Sequence, residues 1–131
     1  MPTLRPTILM IEDDQLTREL YSRELSRNFV VINCSREAEV VEKVKTLNPQ
    51  AIVLEPAAFG GKGWEILSEI KAMPEGHSIP IILCSILDER KRGLRSGAIA
   101  CLVKPVLPMT LSDTLSNVIK SSQKHTTEGK R

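Results

Sequence analysis

Four short apolar runs in this 131-residue chain each end in a side chain able to do chemistry. Thr7-Ile-Leu-Met-Ile11 runs into Glu12-Asp13-Asp14. Ala51-Ile-Val-Leu54 runs into Glu55 and then Pro56. Ile79-Pro-Ile-Ile-Leu-Cys84 meets Ser85, and Ala100-Cys-Leu-Val103 meets Lys104-Pro105. Carboxylates crowded at one place repel, and their pKa values rise unless a cation neutralises them. A hard divalent ion held by one or two carboxylates, a carbonyl and waters suits such a site. Lys104 is the other available neutraliser. Other candidates carry less. Gly60-Gly61-Lys62-Gly63 lacks the Gly-x-x-x-x-Gly-Lys-Ser/Thr spacing of a phosphate loop and reads as a turn. His77 and His125 are lone histidines in polar surroundings. Cys34, Cys84 and Cys101 form no Cys-x-x-Cys pair, so zinc is not indicated and reduced thiols are the plain expectation.

The elements that must position these groups follow from periodicity. Short apolar runs bounded by turn residues read as strands buried on both faces. The expected strands are Thr7 to Ile11, Asn28 to Ile32, Ala51 to Glu55, Ile79 to Cys84 and Ala100 to Val103. Between them, helical spacing covers Gln15 to Arg27, with Leu16, Leu20 and Leu25 as its apolar positions. It then covers Arg36 to Leu47, with Ser35 as cap, and Trp64 to Met73. A short basic helix spans Asp88 to Ser96 and ends at Gly97 in a left-handed conformation; the last helix spans Pro108 to about Ser121. Asp13 or Asp14 is placed to cap the first helix. Strands alternating with helices imply a parallel α/β sheet covered on both faces. The carboxyl ends of all its strands lie along one edge, where ligands bind in such folds. Glu12, Asp13, Glu55, Ser85 and Lys104 therefore share that edge.

Composition bounds the rest. The length suits one domain over residues 7–121, with an N-terminal arm at 1–6 and a polar, mobile tail at 122–131. Aromatic residues are 3% of the chain, which argues against base stacking on single-stranded nucleic acid. A net charge of +2 is too small to imply nucleic-acid binding. No apolar run reaches the ~18 residues of a spanning helix. The N-terminus lacks a signal-type apolar stretch, and the expected location is the cytoplasm.

The chain resembles the receiver domains of two-component response regulators. The resemblance rests on Ile8-Leu-Met-Ile-Glu-Asp-Asp14, Ile52-Val-Leu-Glu-Pro56, Gly63-Trp-Glu-Ile-Leu67, Ile79-Pro-Ile-Ile-Leu-Cys-Ser85, Gly97-Ala98 and Leu102-Val-Lys-Pro105, in family order. It implies a flavodoxin-like, doubly wound sheet of five parallel strands in the order 2-1-3-4-5. It also implies that Glu12, Asp13 and the Ala57 carbonyl are the Mg²⁺ positions. Glu55 takes the place of the phospho-accepting aspartate, with Ser85 and Lys104 as phosphoryl contacts. The family chemistry is covalent catalysis by a carboxylate, with metal and ammonium spreading the charge of the transferring group. The partner it implies is a histidine kinase or a downstream effector, with room for a homodimer.

Several departures bear on function. Glu55 is longer than aspartate by one methylene, about 1.5 Å, and a misplacement near 1 Å can cost about a hundredfold in a positioned reaction. Cys101 stands at the switch position, where the family carries an aromatic residue. The stretch from Ser85 to Lys104 is short, which clips the basic helix. The loop after Glu55 lacks polar side chains. The expectation is an atypical receiver: a signalling interaction module, not phosphorylated in the usual way, with weak Mg²⁺ binding. Its interaction face would comprise Arg90, Lys91, Arg92, Arg95 and Val103. Two readings compete. One is a working phosphorelay receiver that uses the site weakly or accepts at Asp14. The other is a small flavodoxin-like ligand-binding protein; it is disfavoured because Glu12-Asp13-Asp14 would repel phosphate where a glycine-rich loop should cradle it.

Overall fold

The computed structural model describes residues 4–129, with side chains described over 4–122. Five strands form one parallel sheet in the order β2-β1-β3-β4-β5. They are β1 Thr7–Ile11, β2 Val30–Cys34, β3 Ala51–Leu54, β4 Ile81–Ser85 and β5 Ala100–Val103. The helices are α1 Gln15–Leu25, α2 Val40–Leu47, the single turn α3 Ala58–Gly61, α4 Gly63–Ala72, α5 Arg90–Arg95 and α6 Pro108–Gly129. The alternating pattern implies the parallel α/β sheet, and the family resemblance implies this flavodoxin-like strand order. Among the described residues no helix is long and apolar enough to cross a membrane.

The central strands read as unbroken apolar runs because alternate side chains feed two cores. Ile8 and Met10 of β1, Ala51 and Val53 of β3, and Ile82 and Cys84 of β4 pack with Tyr21 and Leu25 of α1 and Leu111, Leu115 and Ile119 of α6. Leu9, Ile11, Ile52, Leu54, Ile81 and Leu83 point the other way, onto Val40 and Val44 of α2 and Ile66, Leu67 and Ile70 of α4. Each fully buried Leu or Ile contributes about 1.5–3 kcal/mol. A shift of one residue in register would exchange the two faces of a strand.

The structure departs from the sequence reading at several element ends. Of the expected apolar positions of α1, Leu25 is buried but Leu16 and Leu20 are 76% and 54% exposed; Tyr21 turns inward with Leu25. The stripe Thr17–Tyr21–Leu25 and the Leu16–Leu20 pair sit one residue apart in helical phase, and only one can face the sheet. β2 begins at Val30 because Asn28 and Phe29 still donate their N–H groups to Leu25 at the end of α1. β4 begins at Ile81, two residues after Ile79. Ser35 does not cap α2: a 3₁₀ turn, Glu37–Glu39, precedes that helix, and its first side chain makes no capping bond. α6 continues past Ser121 to Gly129. Residues 1–3 of the expected arm and 130–131 of the expected tail lie outside the described residues.

Candidate functional site

Strand termination creates the site. β3 ends at Leu54, because Pro56 has no N–H with which to continue the ladder. Glu55 is left at the strand mouth, 5% exposed. Behind it, α4 starts unusually close. A Cβ at Gly63 would lie 2.6 Å from both Cα and O of Pro56, so only glycine permits that approach. Glu12 at the end of β1 is equally buried, at 6% exposure. Lys104 arrives from β5, anchored by its own N–H to the Ser85 carbonyl at 2.7 Å.

Lys104 Nζ donates to Glu12 Oε1 at 2.9 Å and lies 3.0 Å from Glu55 Oε2. The Glu55 contact is an ion pair without hydrogen-bond alignment, so Oε2 has no hydrogen-bond donor. Burial alone would push the ammonium down. The hydrogen bond from Lys104 to Glu12 and the close charges of Glu12 and Glu55 outweigh it and hold the Lys104 pKa above the usual lysine value.

Other oxygens at this edge accept backbone N–H groups. Glu12 Oε2 accepts the Asp14 N–H at 3.1 Å, and Glu55 Oε1 accepts the Ala57 N–H at 3.1 Å. Asp13 Oδ2 accepts the Phe59 N–H at 2.8 Å, and the Ala57 carbonyl accepts the Gly61 N–H at 3.1 Å. Phe59 has φ 56°, a left-handed conformation that costs a non-glycine residue about 1–2 kcal/mol. Asp13 thus holds the strained turn α3 in place. Asp14 caps α1 by accepting the Thr17 N–H at 3.0 Å. The expected Mg²⁺ positions Glu12, Asp13 and Ala57 therefore already have protein donors. Among the described residues no cluster of three or more His, Cys, Asp or Glu is arranged to hold a metal. As arranged, the positive charge between Glu12 and Glu55 is the Lys104 ammonium.

Ser85 is buried at the same edge, but its Oγ accepts the Leu87 N–H at 3.2 Å in a local turn. A cleft of about 330 Å³ opens beside Glu55 between Pro56, Trp64, Ser85 and Leu87.

The expected switch and interaction face are differently built. α5 lies close against β5 because Gly93 has no side chain: a Cβ there would be 2.2 Å from Cys101 Sγ and 2.8 Å from Leu83 Cδ1. Arg92 stacks on Trp64 of α4, its guanidinium carbon 3.9 Å from the ring centroid. Arg90 is tied to Asp88 at 2.6 Å, and that hydrogen bond holds the Asp88 carboxyl down at about 2. Lys91 and Arg95 are exposed, and Val103 is 41% exposed. Sequence reasoning did not find the Asp13–Phe59 bond or the Arg92–Trp64 stack. Gly60-Gly61 and the lone Gly93 within a basic helix were the available signals.

Residues 8–116 match the family model described as the response regulator receiver domain. The transcriptional regulatory protein HprR of Escherichia coli strain K12 is 31% identical over 119 residues, which is 90% of this chain and 52% of HprR. The chain thus spans about half the length of that relative. A CheY-like response regulator receiver domain protein from Methanospirillum hungatei JF-1 superposes with a TM-score of 0.83 at 18% identity, covering 94% of this chain and 99% of that one. The receiver domain of the sensor histidine kinase PA1611 from Pseudomonas aeruginosa PAO1 gives 0.74 at 24% identity, covering 88% and 98%; it was solved with a magnesium ion coordinated in its active-site cleft. At these identities the structural likeness speaks for the fold alone. With the family match running from the first strand into the last helix, the chain belongs to the response regulator receiver domain family of two-component signalling.

Proposed function

We propose that this receiver domain is a cytoplasmic interaction module of bacterial signalling, held in one state by Glu55 and not driven by phosphorylation. Glu55 stands at the acceptor position, and Ser85 and Lys104 stand at the phosphoryl-contact positions. The observation that carries the reading is the Lys104 ammonium, 2.9 Å from Glu12 and 3.0 Å from Glu55. A phosphoryl charge would normally recruit that lysine; here a built-in carboxylate already holds it. A modification shifts a population only if it distinguishes two states, and Cys101 leaves no aromatic side chain to swing between two positions. Magnesium binding is then millimolar or weaker, because a divalent ion must displace an internal cation. The partner is a histidine kinase or an effector that meets Lys91, Arg95 and Val103, with an acidic surface of its own.

Incubation of the full chain with acetyl phosphate and Mg²⁺ tests this. The intact mass should stay unchanged. A stoichiometric, alkali-labile phosphoryl adduct overturns the reading. Glu55→Gln keeps the shape and removes the charge facing Lys104. Its amide spectrum should change around Ser85, Gly97 and Lys104, and an unchanged spectrum there would mean that Glu55 does not set the state.

A further inference from the structure

The edge of the sheet opposite Glu55 carries a groove of about 680 Å³, walled by α4, the α5–β5 turn and α6. Among the described residues its one charged lining group is Lys71; Ser78 and Ser121 add hydroxyls, and Pro80, Leu94 and Ile99 add apolar wall. Lys71 Nζ donates to the Ile79 carbonyl at 2.9 Å and to the His77 carbonyl at 3.3 Å. The lysine stem runs under Gly97, where a Cβ would stand 3.4 Å from Lys71 Cγ. The ammonium is thereby fixed in place. Two of its three N–H groups are used by carbonyls, and the third is committed to no described protein group.

The electrostatics of this lysine are unbalanced. Burial lowers its pKa, and among the described residues no carboxylate offsets that effect. Glu75 lines the adjoining groove beyond Ser78 and Pro80 but makes no ion pair with it. A half-buried cation without an anion, beside hydroxyls and an apolar wall, is the lining of a small-molecule site: mostly apolar, with a few polar groups fixing orientation. The exposed large residues Leu94 and Ile99, at 56% and 51%, form the outer lip.

We propose that this groove binds a small organic carboxylate, its head on Lys71 Nζ and the Ser78 and Ser121 hydroxyls and its apolar body along Pro80, Leu94 and Ile99. One uncommitted ammonium N–H and two hydroxyls match a single negative charge. Among the described residues no second cation lines the groove to favour a phosphate dianion. An occupant would touch α5 at Leu94 and the turn at Gly97, which leads into β5. It would therefore reach the Lys91–Arg95 face from the side away from Glu55. The site does not depend on whether Glu55 accepts phosphate.

Amide NMR of the full chain titrated with octanoate tests this, with octanamide as the neutral isostere. Octanoate should give saturable shifts at Ser78, Gly97, Ala98 and Ile99. Octanamide should bind more weakly by about tenfold or more, the worth of a charge-assisted hydrogen bond. Lys71→Met keeps the stem and removes the charge, and should bring octanoate down to the octanamide level. Leu94→Asp, at an exposed position, should weaken octanoate while leaving the fold intact. No saturable octanoate shifts, equal affinity for the two probes, or unaltered octanoate binding in either variant overturns the proposal.

Discussion

Lys104 and Lys71 are half-buried lysines at opposite edges of one sheet, and their surroundings send them in opposite directions. Lys104 sits between two buried carboxylates, which overcome desolvation and raise its pKa. Among the described residues Lys71 meets only carbonyls, and desolvation lowers it. Depth of burial is similar, so the partner decides. At the carboxyl edge the protein supplies its own countercharge. At the amino edge one charge is left open. The contrast separates an edge where a lysine answers two carboxylates from one where a lysine meets carbonyls.

The largest expected effect breaks the closed edge. Lys104→Met leaves Glu12 and Glu55 buried without a cation and should cost about 3–5 kcal/mol in urea unfolding. Glu55→Gln should cost less, about 1–2 kcal/mol, since Lys104 keeps its bond to Glu12. Near-equal losses for the two variants would show that Glu12 contributes little. Lys71→Met should cost about 1 kcal/mol, the loss of a donor to the Ile79 carbonyl. Arg92→Ala, which removes the stack on Trp64, should cost about 0.5–1 kcal/mol.

pH sharpens the same contrast. The folded pKa of Lys104 lies above the unfolded value of about 10.5, so its contribution is complete below that pH. The contribution is lost as pH rises from there through the folded pKa. Lys71 has a folded pKa below the unfolded one. Between the two values the unfolded state binds more protons, so this lysine makes stability rise with pH. Urea unfolding from about pH 9 to 11 should show the alkaline decline shrink in Lys104→Met and the preceding rise shrink in Lys71→Met.

Much of this was legible in the sequence, for a physical reason. Unbroken apolar runs such as Ile8–Ile11 and Ala51–Leu54 occur when both faces of a strand are buried. A parallel sheet then brings their following residues, Glu12, Glu55, Ser85 and Lys104, to one edge. What stayed hidden depends on side-chain direction and on distance along the chain. Leu16 and Leu20 fit a helical repeat as well as Tyr21 and Leu25 do, and only packing chooses between them. The Asp13–Phe59 bond joins residues 46 positions apart and leaves no spacing signature. The occupation of the Ala57 carbonyl follows from the left-handed turn at Phe59 and Gly60, which composition does not announce.

The Arg92–Trp64 stack has a practical side. The chain has a single tryptophan, and it sits on the seam between α4 and α5 beneath a guanidinium. Its intrinsic emission is therefore an unlabelled optical gauge of how closely that seam is shut, readable in dilute solution with the native chain.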